Sequence, residues 1–159
     1  MKSILANTLL TAMAMSSAAA VLPRTTALSF IQIYDISAQV DTTANTGSMW
    51  LDLVDTNEHD AITACNVTWT PTTGLSAGTA VDCLAGQYAL AFPDGLSTDI
   101  TDFTFTVEST SANAIQEAGD VTLDAGASGS SWVCGGVEEG VGQTKCEYDG
   151  YIDVDVSST

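Results

Sequence analysis

The residues with the most chemistry to offer are four cysteines, Cys65, Cys83, Cys134 and Cys146, in a chain of 159 residues. Thiols can ligate zinc, cycle between redox states or cross-link the chain, and spacing separates these uses. Structural zinc sites favour closely spaced cysteine pairs, often with histidine, whereas these gaps are long and His59 is the single histidine. Dithiol redox catalysis uses C-x-x-C, which does not occur here. Two disulfides remain as the reading, and an even cysteine count fits it in an oxidising compartment. Four cysteines permit three pairings. Spacing leaves the choice open, with 65 to 83 and 134 to 146 as the local options, each closing a short segment that contains turns. A loop of that size restrains the unfolded chain by roughly 3 kcal/mol.

The amino terminus supplies the compartment. Met1 and Lys2 give a positive start, residues 4–20 are mostly small and apolar, and the run closes on Ala18, Ala19 and Ala20. That is the layout of a secretory signal with a small-residue cleavage site. A membrane span needs about 20 strongly apolar residues, and this run is interrupted by Asn7, Thr8 and Thr11. The expected organisation is a signal peptide over 1–20, a loose leader over 21–27 and a single domain over 28–157, with the product secreted and extracellular. On that route Asn66-Val67-Thr68 is a glycosylation sequon, which favours a surface position for Asn66.

Catalytic candidates are thin. His59 lies between Glu58 and Asp60, which could orient an imidazole, but the G-x-S-x-G context of a serine nucleophile is missing. With 20 acidic residues, some carboxylate pair will stand at a glycosidase's spacing in any fold, so a pair carries no information. Asp153 and Asp155 share a strand face and could join Glu138 or Glu139 around a hard cation, yet no calcium-loop pattern accompanies them. The expectation is a protein that is not an enzyme and has no cofactor or metal. Glu58, His59 and Asp60, and the glycine-rich stretch carrying Glu138 and Glu139, are better read as recognition loops. Trp50, Trp69 and Trp132 are expected to pack in the core; exposed and coplanar, they would instead make a platform for sugar rings.

Charge narrows the partners. Three Lys and Arg stand against 20 Asp and Glu, a formal net charge of −17 at pH 7. Phosphate backbones and anionic membranes are repelled by such a field, and the charge is read first as plain solubility, with a cationic partner as the second reading. The surface also repels itself, so the fold is expected to be firmer in mildly acidic, saltier solution, where fewer charges face one another.

What must position these groups is a set of strands. Apolar and polar residues alternate over 28–37, 48–54, 62–69, 87–92, 100–109, 119–124, 131–134, 144–148 and 151–156. Phe103, Phe105 and Val107 share one face against Thr104, Thr106 and Glu108; Ile152, Val154 and Val156 oppose Tyr151, Asp153 and Asp155. Segments such as "TANTG", "FPDG" and "YDGY" supply the turns between runs. Short strands at this spacing predict an all-β fold, a single compact antiparallel sandwich or barrel.

The order of "SFIQIYDISAQ", "DTNEHDAITACNVTW", "YALAFPDG", "ITDFTFTVE", "GDVTLD", "SSWVCGG" and "TKCEYDGYIDVDV" resembles the small secreted fungal proteins related to the Alternaria major allergen and the hypersensitive-response-inducing proteins. The likeness runs from about Leu28 to Val156. It implies a β-barrel or sandwich with local Cys65–Cys83 and Cys134–Cys146 bridges. It also implies an allergen, effector or elicitor role toward a host plant protein or small ligand, without established catalysis. The covalent dimer that the allergen forms through an extra amino-terminal cysteine has no counterpart in this sequence, so a monomer or non-covalent dimer is expected. A carbohydrate-binding or ligand-carrying module is the alternative, and a glycosidase built on paired carboxylates comes third.

Overall fold

The computed structural model describes residues 30–56, 61–110, 117–136 and 142–158. Within them the alternation resolves into eleven strands: β1 (Phe30–Asp41), β2 (Thr46–Asp55), β3 (Ala61–Trp69), β4 (Thr79–Asp82), β5 (Tyr88–Phe92), β6 (Asp102–Ser109), β7 (Glu117–Asp124), β8 (Trp132–Gly136), β9 (Gln143–Tyr148), β10 (Tyr151–Asp155) and β11 (Ser157–Ser158). All described pairings are antiparallel. One sheet runs β3-β2-β1-β9-β8, with β10 also paired to β1; the other runs β11-β7-β6-β5-β4. The all-β sandwich expected from the sequence is therefore what the chain builds, with both cysteine pairs bridged locally. The signal, the leader and the candidate recognition residues Glu58, His59, Asp60, Glu138 and Glu139 lie outside the described residues.

The first sheet hangs on β1. One edge of it pairs with β2 throughout, while the other pairs with β10 over Phe30 to Tyr34 and with β9 over Ser37 to Asp41. The register shifts between Tyr34 and Ser37, where Asp35 takes a φ of 53°. This bulge moves the inward phase from Ile31 and Ile33 to Ile36, Ala38 and Val40, all buried. One strand can thus serve two partners on the same edge without turning its apolar side outward.

Both inner faces interlock in one core. Phe103 and Phe105 of the second sheet pack on each other, and Trp132 of the first meets Phe103 edge to face at a centroid distance of 6.1 Å. Expected faces hold: Phe103, Phe105 and Val107 are buried, and Tyr151, Asp153 and Asp155 are exposed. Two short strands, β4 and β11, carry no apolar alternation and were not expected from the sequence. Each sits at a sheet edge, where pairing and not burial defines it.

Those two edges close the sandwich. On one side the chain leaving β4 crosses to β3, where Leu84 N donates to Ala64 O at 2.9 Å and Cys83 is bonded to Cys65. On the other side β10 runs through Val156 into β11 and changes sheets, pairing first with β1 and then with β7. Gly119 makes that crossing possible. A Cβ there would stand 2.6 Å from Val154 Cγ1 and 2.7 Å from the Asp155 carbonyl oxygen.

Candidate functional site

Of the site residues expected from the sequence, the cysteines and Asn66 fall within the described structure. Cys65 and Cys83 are buried between the sheets, whereas Cys134 and Cys146 stand directly opposite one another on β8 and β9. Asn66 is exposed on β3, an edge strand of the first sheet.

The tryptophans divide. Trp132 is fully buried and donates its indole N–H to the Ile100 carbonyl at 3.0 Å. Trp69 lies over Gly47 and donates to the Ser97 carbonyl at 2.9 Å. Both satisfy the rule that a buried indole finds an acceptor. Trp50 is different: it points out of the first sheet and is 39% exposed. A platform of three coplanar tryptophans is therefore not formed. Another aromatic grouping replaces it. Register places Trp50 between Asn66 and Ser37, and Tyr34 between Asp52 and Tyr151, on adjoining rows of the same outer face. Val54 and Ile62 pair at the end of that face, Ile62 at 68% exposure.

A second feature is an open cleft of about 380 Å³ at one end of the sandwich, with Leu75, Leu96 and Phe103 on its floor and Asp94, Asp99 and Asp102 around it. The Thr101 hydroxyl donates to Asp99 at 2.6 Å and the Thr101 N–H at 2.9 Å. These bonds favour the charged form and hold the Asp99 carboxyl below its ordinary range. Asp41 is lowered in the same way, first by the Ala44 N–H and then by the Gln143 amide. Asp153 accepts from the Gln32 amide at 3.0 Å. Among the described residues no three His, Cys, Asp or Glu side chains gather as metal ligands.

Sequence reasoning missed a polar cluster at the far end of the core. Asp55, Tyr88, Ser109 and Glu117 are all buried, and the Tyr88 hydroxyl donates to the Asp55 carboxylate across the two sheets. Tyr88 and Ser109 are register partners. A signal was available. Asp55 continues the inward phase of Met49, Leu51 and Leu53, and Ser109 that of Phe103, Phe105 and Val107, so each polar side chain had to end inside.

The architecture matches a solved structure. The Alternaria alternata allergen Alt a 1 superposes with a TM-score of 0.56 over 89% of this chain and 96% of the allergen, at 11% sequence identity. No protein-family model and no curated protein matches the chain. This chain is thus similar to the allergen in fold, and the resemblance read from the sequence holds at that level.

Proposed function

We propose that this is a secreted, non-enzymatic, allergen-like protein that works by recognition at the plant–fungus interface, as an effector or elicitor that offers its acidic surface to a basic host protein. The observation that carries the reading is the imbalance of charge on the outside of the fold. Lys145 is the only Lys or Arg among the described residues, and it is paired with Glu147. Asp82, Asp94, Asp102, Asp120, Asp149, Asp153 and Asp155 all lie on turns or on the outward phase of strands with no lysine or arginine beside them in the described chain. Charge of one sign on a rigid scaffold steers a cationic partner and accelerates its docking. Glu58, Asp60, Glu138 and Glu139, outside the described residues, add further acidic charge to the chain.

The test is capture of proteins from leaf apoplastic fluid by the purified product at rising salt. Captured proteins should be basic, and association should slow by about tenfold or more between low and physiological ionic strength. Charge reversal at Asp94 and Asp102, or at Glu138 and Glu139, should weaken capture and blunt the response of infiltrated leaves. Capture that ignores both salt and charge reversal sinks the proposal.

A second reading has its own support in the outer face of exposed Trp50 and Tyr151, with half-buried Tyr34 beside Tyr151, which suits the apolar side of sugar rings. Titration of tryptophan fluorescence with soluble plant and fungal glycans distinguishes it, because Trp50 alone among the tryptophans would respond.

A further inference from the structure

The exposed indole and the sequon belong to one feature. Asn66 and Trp50 are direct cross-strand partners on β3 and β2, and both point away from the core. Directly opposed side chains have Cβ atoms about 5 Å apart. Thr68, the sequon's third residue, is exposed on the same face, because positions two apart on a strand share a side. An N-acetylglucosamine on the Asn66 amide nitrogen therefore starts beside the Trp50 ring. Its route along the sheet passes Ser37 and Tyr34, the next residues inward from the edge. We infer that Asn66 carries an N-linked glycan whose first sugar lies on Trp50, so that this aromatic face is covered by the protein's own carbohydrate.

Chemistry and position agree on this occupant. A pyranose ring has an apolar face of C–H groups that is removed from water by an indole, while its hydroxyls stay solvated. The polar neighbours Ser37, Asp52 and Thr68 can meet those hydroxyls. Attachment at the edge strand also shields the side of β3 beyond the Ala64–Leu84 contact, which an uncovered sheet edge would offer to another chain. The inference rests on the secretory route proposed above, and on no other part of that reading.

The test uses the full chain, with its own leader, secreted from a yeast host. Intact mass should show a glycan on the secreted product that is absent from Asn66→Gln. Acrylamide quenching then reads the cover on Trp50. Trimming with an endoglycosidase that leaves one sugar on Asn66 should change quenching little; complete removal with an amidase should raise it, and should lower the melting temperature by about 3 °C. In Trp50→Ala that temperature shift should vanish. A secreted product with bare Asn66 overturns the inference while leaving the secretory route intact. Glycan present but with quenching indifferent to its complete removal also overturns it. Protein that never enters the secretory route sinks this inference and the proposed function together.

Discussion

The two sides of the sandwich are closed by different means. Where β3 meets the end of β4, the link is covalent, Cys65 to Cys83, reinforced by Leu84 N to Ala64 O and by Ala85 N to the Thr63 hydroxyl. Where β10 meets β7, the closure is a strand that changes sheets, fitted over a glycine and ending in a two-residue pairing. The first seam cannot open without reduction. The second opens whenever Val154 and Val156 lift from β7, an event governed by local stability. Opening is therefore expected first on the β10–β7 side, while the β3 side, where Trp50 and Asn66 lie, is expected to stay closed.

The largest expected effect comes from breaking the covalent seam. Replacing Cys65 and Cys83 together by alanine should cost about 4 kcal/mol in denaturant unfolding, from the lost cross-link and the space left in the core. The other bridge supplies the control. Its sequence separation is 12 against 18, and loop length alone makes the two differ by only about 0.4 kcal/mol. The Cys134–Cys146 bridge pins neighbouring strands of one sheet, and replacing both cysteines by alanine should cost at least about 1 kcal/mol less than the seam pair. Equal losses for the two pairs would mean that closing the sandwich adds nothing to closing a loop.

The yielding seam is probed at Gly119. A valine there drives its side chain into Val154 and the Asp155 carbonyl, one contact with a flexible methyl and one with backbone. The expected loss is about 2 to 3 kcal/mol. Hydrogen exchange at Ser157 and Ser158 should accelerate while the amides of Cys83 and Leu84 keep their protection. Acceleration at both seams would show that the sandwich opens as one unit and that the contrast between its sides is false.

Much of this was legible in the chain. Alternation placed nine of the strands because each has an apolar side, and the faces of β6 and β10 follow their sequence residue by residue. The seams were hidden for the same reason. β4 and β11 are defined by hydrogen bonds across an edge, and Gly119 by what lies above it in space. The bulge at Asp35 was hidden too: Ile33 and Ile36 stand three apart, which breaks a period of two unless a bulge resets it. For the site, the sequon and its exposed strand were readable. That Trp50 faces Asn66 was not, since register across the β2–β3 connection depends on a segment whose length alone does not fix it.

The smallest expected effect belongs to neither seam and is a matter of pH. Asp41 accepts the Thr43 and Ala44 amides at 2.8 Å in the β1–β2 turn, and Asp99 holds the turn beside the cleft through Thr101. Both carboxyls are lowered in the folded state by these bonds. A depressed folded pKa adds stability above the unfolded value, about 3.9, and loses it as pH falls through the folded value. Relief of surface repulsion acts the other way between neutral and mildly acidic pH. The melting temperature in low salt should therefore rise from pH 8 to pH 5 and turn downward below about pH 4. Asp41→Ala and Asp99→Ala should melt below the wild type at pH 7, with the gap narrowing toward pH 2.5. A gap that is constant across this range would show that the two aspartates hold their turns by shape and not by charge.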